Sequence, residues 1–178
     1  ADPTPATRTI TVQSGMVPDW TGVTYSPFNL VTPTVVTNPV LKASDITGVS
    51  ARFVADTFLF YESNTWYMFT EILNNGTNQG DLAVATTPDG LHWNHQQIVL
   101  NETWHLSYPY VFKFNGVYYM IPETYKITEI RLYKATNFPT TWSYVGTHVR
   151  GKDFVDYSIF RYNSKWWRFN SDANHRQF

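Results

Sequence analysis

The sequence contains no cysteine among its 178 residues, so no disulfide bond can stabilise the fold. It also contains no run of about 18 apolar residues, which a membrane-spanning helix requires. Charged residues make up only 15%, and 13 basic side chains nearly balance 14 acidic ones. With a formal net charge of −1, the chain lacks the excess of basic residues that is typical of nucleic-acid-binding proteins. We expect no nucleic-acid partner and no membrane span.

Aromatic residues are abundant, at 17% of the chain, with 12 Tyr and 7 Trp. Such side chains favour β-strands, where flat rings pack on a pleated surface. A disordered chain has few aromatic residues and a high net charge, which is the opposite composition. The composition therefore predicts a folded, strand-rich protein.

An 18-residue segment occurs three times, and the copies align without gaps. The copies are residues 54–71, 106–123 and 154–171. Asp56, Tyr108 and Asp156 occupy one column of the alignment, and paired aromatic residues recur ten positions later. Successive copies begin about 50 residues apart, a period that indicates a propeller, a solenoid or another repeat array.

Each copy reads as two strands joined by a two-residue turn. The turns are Ser63-Asn64, Asn115-Gly116 and Asn163-Ser164. Asn-Gly is the strongest short signal for a hairpin with a type I′ turn. The first strand of each copy is nearly continuous in apolar residues, which predicts burial on both faces. Residues 81–86 and 129–136 also match each other, and each is followed by a further strand, which makes four antiparallel strands per unit.

Four-stranded units repeated at this period are typical of β-propeller blades. We predict an all-β fold in which residues 51–178 form two complete blades and one partial blade. Residues 1–50 form an N-terminal extension or contribute edge strands. Closed propellers have about four to eight blades, so we expect that a missing segment or another chain completes the ring, or that the ring closes in an atypical way. A β-sandwich is the alternative.

Four segments carry a resemblance to a known family: VADTFLFYE, WHLSYPYVFKFNGVYYMIPET, IRLYKATNFPTTW and FVDYSIF. They resemble the N-terminal propeller of glucosamine inositolphosphorylceramide transferases. More distantly, they resemble the five-bladed propellers of glycoside hydrolase family 43, and this resemblance implies five blades. In the transferases the sugar-transferring site lies in a separate, later domain, and no part of this chain resembles that domain. In the hydrolases a base Asp, a pKa-tuning Asp and an acid Glu act together. The resemblance implies that Asp56 is the base and Asp156 the modulator, whereas the blade that carries the acid has no counterpart here.

The candidate catalytic residues are Asp56, Asp156 and Glu123. The two aspartates stand at the start of inner strands, and Glu123 shares a repeat column with Glu71 at the end of the second strand. Paired carboxyl groups suit glycoside hydrolysis, in which one activates water or attacks and another protonates the leaving oxygen. Three interpretations remain open: catalysis, sugar binding without turnover, and a structural role within the blades.

Four further residues are candidates for binding a substrate. Trp104, His105 and Tyr108 precede or begin an inner strand on the same rim, and aromatic faces with polar tips suit a pyranose ring. Alternatively, Trp104 packs between blades and His105 bonds a backbone group. Arg131 neutralises a carboxylate, reaches a phosphate or uronate, or lies on a solvated face. The other histidines lack the spacing of a metal site, so we predict no metal and no cofactor.

Two sequons, at Asn75 and Asn101, are potential glycosylation sites and suggest a secreted protein or one in the lumen of the secretory pathway. Three functional hypotheses follow. The first is a carbohydrate-linked propeller module that binds or positions a saccharide or glycoconjugate and is accessory to glycosyl transfer, without being a complete enzyme. The second is a glycoside hydrolase with Asp56 as its base. The third is a structural or interaction protein that assembles through open blade edges.

Overall fold

The computed structural model describes residues 34–172 and 174, and its strands all lie in the compact unit Val35–Phe178. The strands are β1 (Ala51–Glu62), β2 (Thr65–Asn74), β3 (Gln79–Thr87), β4 (Asn94–Leu100), β5 (Ser107–Phe114), β6 (Val117–Glu123), β7 (Glu129–Asn137), β8 (Thr141–Arg150), β9 (Phe154–Tyr162) and β10 (Lys165–Asp172). Two short 3-10 helices lie at Ala43–Asp45 and Tyr125–Ile127. Within the described ranges, no helix has the length and apolar character needed to cross a bilayer.

The strands form three antiparallel sheets in chain order. The first sheet contains β1 to β4, the second contains β5 to β8, and β9 pairs with β10 in a third hairpin. Within each sheet, every strand is hydrogen-bonded to the strands next to it in sequence, as expected of strands joined by short turns. The prediction of an all-β fold made of antiparallel four-stranded units is therefore confirmed. The predicted edge strands within residues 1–33 lie outside the described residues.

The turns at the tips of the three hairpins have the backbone that the sequence predicts. In the second hairpin, Asn115 and Gly116 have φ angles of 50° and 77°. Ser63 and Asn64 of the first hairpin have φ angles of 49° and 57°. Two consecutive positive φ values define a type I′ turn, whose twist matches that of the strands it joins.

Burial is concentrated in the second and third strands of the first sheet. Every residue of β2 from Met68 to Ile72 is buried, and so is nearly all of β3. The prediction that the opening strands are buried on both faces is wrong, since Leu59 and Tyr61 of β1 are 57% and 51% exposed. The physical reason is position: β1 is the edge strand of its sheet, whereas β2 and β3 have a paired strand on each side.

The main hydrophobic core lies between the first and second sheets. Its buried members are Phe69, Leu82, Val84, Val99, Leu106, Met120, Tyr133 and Trp142. Phe138, from the turn between β7 and β8, reaches across to the first sheet. Its ring stacks on Tyr118 with a centroid separation of 3.9 Å and meets Tyr67 edge-on at 4.9 Å. Aromatic packing therefore joins the two sheets face to face.

The outer faces of the two sheets are covered by different segments. Leu41 and Ile46, which flank the first 3-10 helix, pack against Ile72 and Ala83 of the first sheet. On the second sheet, the buried residues Ile121 and Ile130 pack against Phe154 and Tyr157 of β9. The three hairpins thus follow one another in space, and this places their opening strands side by side.

Candidate functional site

The three opening strands carry the same irregularity at the same repeat position. Between the pairs Ala55–Glu71 and Phe58–Phe69, two residues of β1 oppose one residue of β2, so the strand contains one extra residue. The same mismatch occurs between β5 and β6 and between β9 and β10. Such an insertion is a β-bulge, which bends a strand and redirects a side chain.

The residues at the bulges have left-handed backbone conformations. Asp56, Tyr108 and Asp156 have φ angles of 49°, 47° and 54°. Positive φ is uncommon for residues other than glycine, although Asp and Asn tolerate it better than bulky side chains do. Backbone strain that recurs at equivalent positions is concentrated at functional sites. The bulges thus mark the column Asp56, Tyr108 and Asp156 as the candidate site.

A buried carboxyl group lies next to Asp56. Glu71 of β2 is only 5% exposed, and it pairs across the sheet with Ala55, the residue before Asp56. Burial raises the pKa of Glu71 to about 7, and the negative charges of Asp56 and Glu123 contribute to the same shift. Asp56 itself is exposed. The first hairpin therefore carries an exposed carboxyl group on Asp56 and a buried one on Glu71 whose pKa is raised.

The imidazole ring of His105 lies next to the carboxyl group of Glu71. Its Nε2 lies 3.3 Å from Glu71 Oε1, and its Nδ1 accepts a 2.9 Å hydrogen bond from the backbone N–H of Gly80. Burial lowers the pKa of His105, and the nearby charge of Lys126 acts in the same direction. A neutral ring that accepts at Nδ1 carries its proton on Nε2. The protonated Nε2 of His105 thus faces the Glu71 carboxyl group.

Glu123 connects the second and third hairpins. Its Oε1 accepts a 3.0 Å hydrogen bond from Ser107 Oγ, and its Oε2 accepts a 3.0 Å hydrogen bond from the backbone N–H of Asp156. Burial raises the pKa of Glu123, and the charges of Asp156 and Asp56 also raise it, while these hydrogen bonds oppose the shift. Because both oxygens are engaged, Glu123 is placed to hold the Asp156 bulge in position.

Tyr108 bridges the hairpins on either side of it. Its ring meets Phe58 edge-on, with a centroid separation of 4.6 Å and an interplanar angle of 74°. Its hydroxyl lies 3.2 Å from Ser158 Oγ on β9. Asp56 and Asp156 both act on the carboxyl group of Glu123. The structure therefore brings the three bulge residues together with Glu71 and Glu123.

Arg131 lies apart from this cluster. Its guanidinium is stacked between the rings of Trp104 and Tyr144, at 4.7 Å and 4.9 Å, and its Nε donates to Glu129 Oε2 at 2.9 Å. A guanidinium held by two rings and a carboxylate supports the fold of the second sheet. The indole Nε1 of Trp104 is buried and has no hydrogen-bond partner.

A cleft of about 650 Å³ adjoins the carboxyl groups. Its walls include the rings of Phe53, Trp104 and Tyr125 together with the polar groups of Gln79 and Lys126. His105 lines this cleft and also contacts Glu71, so the cleft and the carboxyl cluster are adjacent. Aromatic walls with a few polar groups are common in sites that bind small organic ligands.

Two remaining features bear on the predicted sites. Among residues 34–172 and 174, no three His, Asp or Glu side chains are grouped so as to hold a metal ion. Asn75 and Asn101 of the sequons are both exposed. Asn75 donates to Ser50 Oγ at 3.0 Å and accepts from Arg52 Nε at 3.1 Å.

The sequence did not identify Glu71 as a candidate site residue, because its contacts join segments that are far apart in the chain. Glu71 shares a repeat column with Glu123, which is the signal that could have identified it. The contact between His105 and Glu71 follows from how the segment before β5 crosses β3. Gly80 permits that crossing, because a Cβ there would lie 2.0 Å from the carbonyl oxygen of Leu106.

Comparison with known proteins finds one matching family, relatives from plants, and solved glycoside hydrolase structures of similar fold. Residues 29–178 match the family described as glucosamine inositolphosphorylceramide transferase 1, N-terminal. Proteins named glucosamine inositolphosphorylceramide transferase 1 from Oryza sativa subsp. japonica and Arabidopsis thaliana are 43% and 39% identical to it over 140 residues. The match covers 77% of this chain but only 19% and 18% of those relatives.

Two solved structures illustrate the similarity in fold. The Bombyx mori GH32 beta-fructofuranosidase BmSUC1 matches 75% of this chain and 32% of its own, with a TM-score of 0.54 and 16% identity. The Bacillus subtilis arabinanase Arb43A matches 70% of this chain and 50% of its own, with a TM-score of 0.54 and 20% identity. At these identities the comparison establishes a propeller-type fold.

Proposed function

Because this chain belongs to the glucosamine inositolphosphorylceramide transferase 1 N-terminal family, we propose that it is a carbohydrate-linked propeller module that binds or positions a glycan. The module assists glycosyl transfer and is not by itself a complete enzyme. The observation that carries the proposal is the row of three bulges, which presents Asp56 and Asp156 beside Tyr108. Carboxylates and aromatic faces are the groups that recognise sugar hydroxyls and sugar ring faces.

The adjoining cleft supports the same proposal. Its volume of about 650 Å³ accommodates one or two sugar rings, and His105 links it to the carboxyl groups. A glycan bound in the cleft would lie against the rings of Phe53 and Tyr125. Lys126 at the edge of the cleft would favour a glycoconjugate that carries an anionic group. The relatives are named for a transferase of glucosamine to an inositolphosphorylceramide, which contains both a sugar and a phosphoryl group and fits this class of ligand.

The test is calorimetric titration of candidate saccharides, chosen from a glycan array, into the 178-residue chain. We expect Asp56→Asn to weaken binding at least about tenfold, which corresponds to one lost charged hydrogen bond. The matched control is Asp45→Asn, which changes an exposed aspartate on the first 3-10 helix. Absence of affinity for every saccharide, or equal affinity in both variants, would contradict the proposal.

The second candidate function is glycoside hydrolysis. The observation that favours it is the pair of exposed carboxyl groups at the first and third bulges, Asp56 and Asp156. Asp56 would act as the base, and the reaction also requires an acid that protonates the leaving oxygen. Turnover of aryl-glycosides that is abolished by Asp56→Asn would establish this function, and inactivity across a broad panel would eliminate it.

The third candidate function is assembly. Aromatic side chains of the third hairpin are exposed, and Trp166, Trp167 and Phe169 have relative exposures of 46%, 41% and 54%. We propose that further blades, from the longer protein or from another chain, cover this hairpin and complete a five-bladed ring. Measurement of mass in solution at high concentration tests association between copies. A chain that remains monomeric argues against assembly through this surface.

The secretory pathway remains our proposal for the location of the protein. Exposure of Asn75 and Asn101 is the supporting observation, since a glycosyl-transfer enzyme can reach only exposed acceptors. The intact mass of the protein from its native source, before and after enzymatic removal of N-glycans, tests this proposal. An unchanged mass at both sequons would contradict it.

A further inference from the structure

The second strand of the third hairpin is exposed where its counterparts in the other units are covered. Residues 165–169 of β10 are all exposed, whereas none of the equivalent residues 65–69 of β2 and 117–121 of β6 is exposed. Each of those counterparts pairs with a third strand, β3 or β7. Among the described residues, β10 pairs with β9 alone. The outer edge of β10 therefore offers backbone groups to a further strand.

A groove of about 490 Å³ lies between β10 and the second sheet. Phe112, Tyr119 and Ile121 line it from the second sheet, and Trp166 and Arg168 line it from β10. The rings of Phe112 and Trp166 meet edge-on, with a centroid separation of 5.7 Å. Phe112 also belongs to the hydrophobic cluster that joins the second sheet to β9. The groove therefore extends an interface that the second and third hairpins already form.

The ring of Phe138 packs between the first and second sheets. It lies in the turn between β7 and β8, the third and fourth strands of the second sheet. It stacks on Tyr118 with a centroid separation of 3.9 Å. It also meets Tyr67 at 4.9 Å, Phe60 at 5.7 Å and Phe69 at 6.0 Å. An aromatic ring from the turn of a hairpin thus joins these two neighbouring units.

The four residues that surround Phe138 have counterparts one repeat unit further along the chain. Tyr118, Tyr67, Phe60 and Phe69 correspond, in that order, to Trp166, Tyr119, Phe112 and Ile121. All four of these counterparts line the groove. Three are aromatic and the fourth is aliphatic, so the groove keeps the apolar character of the site that holds Phe138. The repeat therefore indicates which kind of side chain the groove accommodates.

We propose that the groove beside Trp166 is a binding site for an aromatic ring in the turn of a β-hairpin, one strand of which pairs with the outer edge of β10. The occupant is the segment that follows β10 in the longer protein, just as β3 and β4 follow β2 and pair in that order. The relatives have the length for such a segment, since the match covers only 19% and 18% of them. This inference rests on the third candidate function, and it adds the kind of partner and the site that receives it.

The chain itself supplies a probe, a peptide with the sequence of residues 129–150. In the protein this segment forms the β7–β8 hairpin, whose turn carries Phe138. Glu129 and Arg150 are cross-strand partners, so Glu129→Cys and Arg150→Cys in the peptide allow a disulfide to close the hairpin. The 178-residue chain contains no cysteine and cannot exchange disulfides with the peptide. Far-UV circular dichroism establishes that the closed peptide has strand structure before it is titrated.

Calorimetric titration of the closed peptide into the 178-residue chain measures the affinity. We expect Phe138→Ala in the peptide to weaken binding about tenfold or more, because the ring loses its contacts with the aromatic side chains of the groove. Trp166→Ala in the chain should cause a similar loss. Trp166→Phe keeps a ring and should retain most of the affinity, so it decides the question if the alanine variant fails to fold. The matched control is Tyr162→Ala, which removes a ring of the same hairpin outside the groove and should leave the affinity unchanged.

Hydrogen exchange locates the bound peptide. Backbone amides of residues 165–169 that point to the outer edge of β10 should exchange about tenfold more slowly or less when the peptide is bound, because a further strand pairs with them. The amides of β4, an edge strand of the first sheet, should exchange at unchanged rates. Slower exchange in β4 without any change in β10 would place the peptide at a different edge and overturn the proposal.

The outcomes separate this inference from the third candidate function. Equal affinity of the peptides with and without the Phe138 ring overturns the aromatic site and leaves assembly through the third hairpin intact. Absence of binding by both closed peptides overturns both. Self-association of the 178-residue chain that is lost in Trp166→Ala identifies a second copy as the occupant and overturns the assignment to the longer protein. A loss of affinity confined to the Phe138→Ala peptide and the Trp166→Ala chain supports both.

Discussion

Replacing Gly80 with alanine tests how closely the segment before β5 packs on the first sheet. A Cβ at this position would lie 2.0 Å from the carbonyl oxygen of Leu106 and 3.0 Å from both Glu71 Oε1 and His105 Cε1. Ordinary contacts begin at 3.4 Å, so either β3 or the 105–106 segment must move by more than 1 Å. The nearest atom is backbone, which cannot turn aside as a side chain can.

The expected loss of stability comes from two sources. Overpacking of this kind costs about 1–3 kcal/mol. The displacement also strains two hydrogen bonds, from Leu106 N to Gly80 O at 3.0 Å and from Gly80 N to His105 Nδ1 at 2.9 Å. A buried group that loses its partner costs a further ~1–3 kcal/mol. We therefore expect Gly80→Ala to lower the free energy of unfolding by about 3–5 kcal/mol.

The assay is equilibrium unfolding in urea, followed by tryptophan fluorescence. With a slope of about 2 kcal/mol/M, the expected loss shifts the midpoint by roughly 1.5–2.5 M. Gly146→Ala is the matched control, since a Cβ there meets no atom within 4 Å. It should leave stability unchanged or raise it by up to about 1 kcal/mol. A Gly80→Ala midpoint within error of this control would refute the close approach and the His105 geometry that depends on it.

Three further predictions concern packing, backbone strain and pH. Phe138→Ala should cost about 2–4 kcal/mol in urea unfolding because its ring joins the two sheets, whereas Tyr162→Ala, at 62% exposure, should cost under about 0.5 kcal/mol. Thr128→Gly should raise the free energy of unfolding by about 1 kcal/mol, because glycine relieves the strain of its φ of 51°. Tyr108→Gly relieves a similar strain but should lower the free energy of unfolding by about 2 kcal/mol, because contacts to both neighbouring hairpins are lost. An increase in stability for Tyr108→Gly would contradict this prediction. The pKa of Asp89 is lowered, first by the backbone hydrogen bond from His92, so its stabilisation is present above the ordinary value of 3.8 and is lost as the pH falls. Asp89→Ala should thus be less stable than wild type at pH 7, and the difference should shrink at pH 3; a constant difference would contradict it.

The sheets were predictable because their signals are local. Two-residue turns such as Asn115-Gly116 require positive φ at both positions, and the structure has it. The matching segments 81–86 and 129–136 lie within β3 and β7, as the repeat indicates. The burial of the opening strands was predicted wrongly, because apolar character alone does not reveal whether a strand lies at the edge of a sheet.

The site was only partly predictable, because its contacts join residues far apart in the chain. The repeat column identified Asp56 and Asp156, yet no local signal indicates that both act on Glu123. Arg131 illustrates the same difficulty. It follows Glu123 in the chain, but its guanidinium is held between Trp104 and Tyr144, which no pattern of spacing reveals.

The bulge column explains why the candidate site depends on more than one hairpin. Asp56 and Asp156 have side chains that tolerate a left-handed backbone, so each hairpin alone can adopt that conformation at modest cost. Tyr108 has no such tolerance, and its conformation must be stabilised by contacts outside β5. Those contacts are the ring of Phe58 on one side and the hydroxyl of Ser158 on the other. The conformation of the middle bulge therefore depends on contacts with both flanking hairpins, so the column of Asp56, Tyr108 and Asp156 requires the three hairpins together.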